Sequence, residues 1–443
     1  MPAAIRETIQ VLELIVQGVP IGTNLGLLYM LWALLNGSFL SSRGAIFPAL
    51  QSSGFDAESS RRSWAALRYG AWTIEQLIEV WRGHVLAEGK WQRRSYEGYR
   101  PLVVDWTAFW RPQLKNWRGR FFHRLANRGL CGVGFGVIVE VGDVEKQRLP
   151  LLRRILRIEG GERSESRLKK ETLRWVGQEL AADEIAIMDA GVQVSECQGA
   201  GIQRFVVRLA LNRTARRNFL PAPKERGRPR EKGELVRPLS RSYKGRTIAV
   251  SKPDGQDSFV WQGRQIEVQG WHDLILSDLR PDPNHDTFTI WVFSDPAYQD
   301  PLLLATNVPL RPQSMFALYL DRWSVEQAPL AAKQMLGLHR QFVFAPQSCQ
   351  RLPELALLAG NILSYLAAVL PPMPTGFWDR HPKKLQAAYA GSWPKPIFSL
   401  SMKNLADFAK RTHSLGTYPR ALTAIAAKNG IRNSFPGLHL SFC

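Results

Sequence analysis

Tyr319, Arg322, Glu326 and Lys333 fall at relative positions 0, 3, 7 and 14 of one stretch, YLDRWSVEQAPLAAKQMLGL. In a helix turning by about 100° per residue, these four lie within one arc of roughly 60°. Phe316, Leu320, Trp323, Leu330 and Met335 take the other faces. A carboxylate, two cations and a phenol on one face suit a metal ion and a phosphate backbone together. Pro329 lies inside the pattern and removes the amide that would bond the Val325 carbonyl. A kink is therefore expected between Glu326 and Lys333.

Two further acids belong with Glu326. Residues 101–105, PLVVD, read as a short buried strand ending in Asp105, and residues 184–189, EIAIMD, as another ending in Asp189. Gly191 follows and predicts a tight exit from that strand. Acids at strand ends point out of a sheet edge, where their carboxylates can meet. Gathering three carboxylates raises their pKa values unless a cation joins them. Oxygen ligands without His or Cys suit Mg²⁺ or Mn²⁺. Two such ions about 4 Å apart can serve the attacking and leaving oxygens at phosphorus, which points to phosphoryl transfer on nucleic acid.

The elements that must position these residues are legible in outline. Residues 1–95 read as helical. Asp56 starts one helix carrying Arg61, Arg62 and Arg68, and Thr73 with Gln76 caps the next, in which Ile74, Leu77, Ile78, Trp81 and Val85 recur at helical spacing. With Gly70 between them, the pair reads either as a helix-turn-helix DNA reader or as a small bundle with a solvated basic face. Gly132–Val141 reads as a strand, and its G-x-G-x-G run lacks the spacing of a dinucleotide site. Helices are expected over Ser164–Leu180 and Leu352–Leu370, and a strand over Arg204–Leu211. Runs at 246–250, 258–262, 265–276, 286–293 and 302–306 make a β-rich block between turn signals such as Pro253-Asp-Gly. Pro371–Pro396 reads as a Pro-rich loop or linker, and Lys403–Arg411 and Arg420–Lys428 as short terminal helices.

The 443 residues carry a net charge of +20 and a pI near 10.1, which favours a polyanionic partner. From Trp106 to Val139 there is no acid, while Arg111, Lys115, Arg118, Arg120, Arg124 and Arg128 alternate with Trp110 and Trp117. Cations interleaved with aromatics suit a nucleic-acid strand. From Arg204 to Arg246 fourteen Lys or Arg face three acids. At the centre, Arg226, Arg228 and Arg230 form an extended basic segment that reads as a groove-tracking arm or as a charged loop. The most apolar run, Leu25–Leu35, is too short to span a bilayer, and Arg6, Glu7 and Glu13 do not resemble a secretory leader. Cys131, Cys197, Cys349 and Cys443 show no C-x-x-C spacing, so a cytoplasmic setting without disulfides or zinc is expected.

The spacing Tyr-x2-Arg-x3-Glu-x6-Lys, with Arg322-Trp323 before the Glu and Leu336-Gly337-Leu338 after the Lys, resembles the signature of bacterial insertion-sequence transposases of the DDE type. Asp105-Trp106-Thr107 is similar to the context of their first acid, and Asp189-Ala190-Gly191 to that of the second. The resemblance covers about residues 95–370. It implies an α/β chain with an RNase H-like catalytic domain at 96–370 carrying a β-rich insertion at about 212–306. An N-terminal helical DNA-binding domain at 1–95 would precede it, and a linker and helices at 371–443 would follow. It implies that Asp105, Asp189 and Glu326 bind two Mg²⁺ or Mn²⁺ ions, and that Tyr319, Arg322 and Lys333 contact DNA phosphates. It further implies cleavage at terminal inverted repeats, transfer of the freed 3′-OH into target DNA, and a homodimer in the DNA complex, with no membrane. The family's base-stacking Trp precedes an apolar strand that resembles Leu302–Thr306. Pro301 stands at that position, leaving Tyr298 or Trp291 as the stacking candidates. An RNase H-like nuclease or resolvase without strand transfer, and a domesticated DNA-binding protein, are the alternatives.

Overall fold

The apolar runs on either side of the acids become neighbouring strands of one sheet. The computed structural model describes residues 2–20, 24–158, 165–222, 230–372 and 380. Its central strands are β1 (Arg100–Trp110), β2 (Arg128–Val144), β3 (Gln147–Arg157), β4 (Glu184–Met188) and β5 (Phe205–Arg208). Their order is β3-β2-β1-β4-β5. β1, β4 and β5 run parallel, and β2 runs antiparallel to both its neighbours. Every residue of β4 is buried, as a parallel strand covered on both faces requires. Its one acid, Glu184, is held by Arg153 at 2.5 Å.

The β-rich block extends this sheet. β6 (Arg264–Ile275), β7 (Phe288–Ser294) and β8 (Leu302–Thr306) form an antiparallel run whose last strand pairs with β5. Five short strands complete thirteen: Trp91–Arg93 and Arg120–His123 on β2, Gly255–Trp261 and Ala215–Arg217 on β6, and Leu235–Val236 beyond Ala215–Arg217. A separate ribbon pairs Arg241–Tyr243 with Arg246–Ile248.

Side-chain alternation divides the core between the two faces. Leu102, Val104, Ala186, Met188 and Val207 face one side, covered by α5 (Glu165–Glu179) and the short helix Val194–Gly199. Val103, Ile185, Ile187, Val206 and Leu304 face the other, together with the N-terminal helices and the chain from residue 312 onward. These helices are α1 (Pro2–Gln17), α2 (Asn24–Leu35), α3 (Ala57–Tyr69), α4 (Ile74–Glu88), α6 (Pro312–Leu320) and α7 (Pro346–Val369). Asn361 of α7 ties three elements. It accepts from Trp81 Nε1 at 2.9 Å and from Leu152 N at 3.2 Å, and donates to Pro150 O at 2.7 Å. α7 is long and apolar enough to cross a membrane by length and composition, but 94% of that stretch is buried inside the fold.

The caps read from sequence form. Asp56 Oδ1 accepts from Ser59 N, and Thr73 with Gln76 makes a reciprocal capping box. The helix-turn-helix alternative fares less well. α4 buries Ile74, Leu77, Ile78, Trp81 and Val85, turns Gln76 and Glu79 outward, and commits Arg82 to Glu140 at 2.9 Å. It offers no cation to a groove, whereas Arg61 and Arg62 are exposed on α3. The terminal helices expected at Lys403–Arg411 and Arg420–Lys428, and nearly all of the linker, lie outside the described residues.

Candidate functional site

The pairing of β1 with β4 brings two of the acids level. Val103 lies opposite Ile187, and two residues further along each parallel strand are Asp105 and Asp189. Asp189 follows the last residue of β4, as expected. Asp105 does not end its strand. β1 continues to Trp110, with Asp105 still paired to Val137 of β2. The reason is that β4 stops at Met188, so β1 loses its parallel neighbour while keeping the antiparallel one. Asp105 is thereby left at an open flank of a continuing strand. Gly191 is exposed, with a negative φ and no atom near its missing Cβ. The exit from β4 therefore does not require a glycine there.

Glu326 arrives on a helical path of changing pitch. α6 is followed by a 3₁₀ segment at Asp321–Glu326, a short α turn at Gln327–Leu330 containing Pro329, and a π segment at Ala331–Met335. Leu336 N bonds Ala331 O at 2.9 Å, five residues back. The 3₁₀ segment over-rotates relative to an α-helix and the π segment under-rotates, so their effects on the facing direction oppose one another. Lys333 thus still reaches the acids' neighbourhood.

The four polar residues of that path converge on the strand ends. Tyr319 Oη donates to Asp189 Oδ1 at 3.2 Å. Arg322 Nη1 lies 3.5 Å from Asp189 Oδ2 and 3.2 Å from Glu326 Oε1. Lys333 Nζ donates to Thr107 Oγ1 at 2.7 Å and sits over the rings of Phe109 and Trp110. Its side-chain partners are all on β1, the strand that carries Asp105.

Two residues that sequence reasoning did not single out complete the frame. Asp321 is fully buried, accepts hydrogen bonds from Arg94 Nε at 3.1 Å and Tyr96 Oη at 2.9 Å, and is ion-paired with Arg148, whose Nε lies 2.9 Å from Oδ1. Arg148 also bonds the Leu320 carbonyl at 2.9 Å, so the α-to-3₁₀ junction is anchored from behind. An acid between Leu320 and Arg322 in the signature stretch was the available signal. Arg208, at the end of β5, lies 3.7 Å from Asp189 Oδ1, and nothing local in the sequence marked it.

Electrostatics follow from this crowding. Desolvation raises the Asp105 carboxyl to about 6, aided by the charges of Glu326 and Asp189 and opposed by the Trp106 amide and Arg322. Burial raises the Tyr319 phenol, and Asp189 beside it adds to that. Burial pulls the Arg322 guanidinium down, but Tyr319, Asp189, Glu326 and Asp105 outweigh it and hold the cation charged. Lys333 is lowered to about 8 by desolvation, with Asp105 opposing.

Among the described residues no group of three or more His, Cys, Asp or Glu is drawn close enough to hold a metal ion. Arg322 lies between Asp189 and Glu326 and supplies positive charge there. The donor set suits a hard divalent cation nonetheless. Asp105, Asp189 and Glu326 present only carboxylate oxygens, and the side chains of Asp189 and Glu326 are 38% and 43% exposed. An ion would compete with the guanidinium for these oxygens.

The remaining candidates are spread more widely. Arg230 is exposed, while Arg226 and Arg228 lie outside the described residues. Trp291 on β7 is half-buried, with its ring packed over Gly270 and beside His272. By register Trp291 pairs with Leu304, which pairs with Arg208, so it shares the acids' face of the sheet. Tyr298 is 69% exposed on the loop that joins β7 to β8 at the edge where Arg208 ends β5. In the basic stretch, Trp110 and Trp117 spend their indole N–H groups on the carbonyls of Phe121 and Gly132, and Arg111 is buried against Val343 O. Those three are structural, which leaves the exposed cations Lys115, Arg118, Arg120, Arg124 and Arg128. Comparison with protein-family models and with curated proteins finds no match for this chain.

Proposed function

We propose that this chain is a DDE-type transposase that cuts DNA at transposon ends and joins the freed 3′-OH to target DNA. The observation that carries the reading is the convergence of Asp105, Asp189 and Glu326, from two strands and a distant helical path, around the phenol and cations of Tyr319, Arg322 and Lys333. The order β3-β2-β1-β4-β5, with β2 antiparallel among otherwise parallel central strands, fits an RNase H-like core. The strands inserted between β5 and α6 fit the expected β-rich insertion. A net charge of +20 supports a DNA partner.

In this reading Asp105, Asp189 and Glu326 would hold two Mg²⁺ or Mn²⁺ ions, which would supply Lewis-acid chemistry at phosphorus. Tyr319 and Arg322, now turned to carboxylates, bind phosphate oxygens when the strand enters. Lys333, fixed by Thr107, keeps positive charge beside Asp105 and near the scissile phosphate. The Asp321 anchor holds the 3₁₀ turn so that Glu326 faces the strands. Cutting paired ends calls for two copies of the chain on the DNA, with the N-terminal helices contributing to binding.

The test uses DNA flanking the gene, with both ends on a supercoiled plasmid. Wild type with Mg²⁺ should cut at the ends and join 3′-OH termini to a second plasmid. Asp105→Ala, Asp189→Ala and Glu326→Ala should each abolish cutting and keep end binding, because many phosphate contacts remain. Near-normal cutting by any of them removes that acid from the site. Cutting without joining would make the protein a nuclease.

A further inference from the structure

The strand Arg120–His123 and the start of β2 form a hairpin closed by Arg124, Leu125, Ala126 and Asn127. Leu125 at its tip is 94% exposed, and Phe122 on its outer face is 50% exposed. An apolar side chain so fully in water has no role in the core. The tip is nevertheless built. Ala126 N bonds His123 Nδ1 at 3.1 Å, Asn127 N bonds Arg124 O at 3.2 Å, and Asn127 adopts φ 46°. His123 packs edge-on against Trp110, with ring centroids 4.6 Å apart. Phe121, on the inner face, is buried against Ala108 and Leu168. Arg120, Arg124 and Arg128 are exposed on the same hairpin.

The hairpin borders the loop that follows Asp189. A cleft of about 520 Å³ runs from Arg120, Phe122 and Gly129 to Lys169 and Gly191, two residues past Asp189, with Glu165 as its acid. Glu165 Oε2 accepts from Phe122 N at 3.2 Å, and Lys169 Nζ donates to Gly191 O at 2.5 Å. The loop that carries Asp189 and the base of the hairpin are therefore mechanically linked.

We propose that this hairpin is a DNA wedge. Leu125 enters between base steps next to the scissile position and unstacks them, while Arg124 and Arg128 hold the flanking phosphates. The inference rests on the DNA-cutting reading and adds to it how the duplex is opened beside the acids. Three observations carry it: an exposed apolar tip on an ordered ribbon, three arginines and no acid on that ribbon, and a continuous cleft to the Asp189 loop. Apolar wedges flanked by cations kink duplexes in this way, at the cost of unstacking.

A DNA whose end is already unpaired carries part of that cost beforehand, so it should bind more tightly. The full chain is tested with a mixed-sequence duplex and with the same duplex frayed at one end, in Ca²⁺ without Mg²⁺. Wild type should prefer the frayed DNA by about tenfold. Leu125→Ser, at a site too exposed to affect folding, should bind both DNAs equally and the plain duplex as wild type does. Arg124→Gln with Arg128→Gln should weaken both and flatten the salt dependence by about 2 in the log–log slope. A 2-aminopurine beside the fray should brighten with wild type and not with Leu125→Ser. If wild type shows no preference, or Leu125→Ser keeps it, the wedge is wrong. Salt-sensitive DNA binding and acid-dependent cutting would then still stand and keep the parent reading. Absence of both binding and cutting would remove the parent reading and the wedge together.

Discussion

In the proposed reading, Asp105 is the residue on which chemistry and stability conflict. Its carboxyl titrates at about 6, against 3.8 for a free one, because β1, β2 and the Arg322 turn enclose it. The folded state therefore holds that proton more tightly than the unfolded chain. Its contribution to stability is fully present below about pH 4 and is lost as pH rises through about 6. The neutral-pH cost is on the order of 3 kcal/mol. Asp105→Asn imitates the protonated form, so in chelator it should melt higher than wild type at neutral pH and level with it near pH 4. Mg²⁺ should raise the melting temperature of wild type at neutral pH and leave Asp105→Asn unmoved, since a ligand stabilises only the form that binds it. Thermal melts with and without chelator read both effects. An Asn variant that melts below wild type at neutral pH would mean the buried charge is already compensated. The candidate residues were legible at this scale because the spacing of residue types along the chain is local. The bridge of Arg322 between Asp189 and Glu326, the reach of Arg208 and the burial of Asp321 were not, because their partners lie far away in the chain.

At the scale of elements, Pro329 was expected to kink a helix, and the structure distributes the irregularity over the 3₁₀ and π segments on either side. An amide at 329 would allow an α bond to the Val325 carbonyl and favour a uniform α-helix. Such rewinding removes both the over-rotation and the under-rotation, and shifts Lys333 relative to Thr107. Pro329→Ala should thus melt no lower than wild type, since an interior Pro costs a helix about 3 kcal/mol. It should cut several-fold more slowly with end binding retained. Single-turnover cutting beside a melt separates the two effects, and an unaltered cutting rate would show that Lys333 tolerates either pitch. The run of Asp105 into a longer strand is a similar case. Residues 101–105 are apolar and end in an acid, but whether a strand stops depends on its neighbours, and β2 continues where β4 does not.

The β-rich insertion carries a second expectation at this scale. Pro301 offers no aromatic face, while Trp291 lies in the row Gly270–Trp291–Leu304–Arg208 and Tyr298 stands exposed on the loop at the acids' edge. A DNA hairpin intermediate needs a tightly bent strand, and stacking a flipped base on a side chain returns roughly 1–3 kcal/mol. Pre-nicked end DNA with Mg²⁺ should give a hairpin species on denaturing gels, and Trp291→Ala or Tyr298→Ala should deplete it. Double-strand breaks with no hairpin in wild type and both variants would assign the protein another route.

At the scale of the molecule, the sheet and its covering helices bury Arg111, Arg217 and Arg322 and leave other cations, such as Arg61, Arg124 and Arg230, exposed. The N-terminal helices share a core with β3 and α7 through Asn361, Trp81 and Tyr365, a union that no local pattern announced. In the proposed reading a chain with net charge +20 would bind DNA largely by releasing counterions, so affinity should fall steeply with salt. Each phosphate neutralised contributes roughly −0.9 to the log–log slope. The region Arg204–Arg246 is the densest in cations, and Arg230 is exposed within it. Arg217 is already committed to Asp254, and Arg216 to the carbonyls of Ser277 and Gly233, so these two stiffen the insertion and are not free for phosphates. Arg226, Arg228 and Arg230 alternate with Gly227 and Pro229, which suits an extended arm lying along a groove. Replacing all three with Gln should flatten the slope by up to about 3. The acids would be untouched, so single-turnover cutting at saturating protein should persist. Filter binding across a salt series measures the slope. If it matches wild type, the segment stays in solvent, and the counterions come from Arg61 on α3 and from the hairpin at Arg120–Arg128.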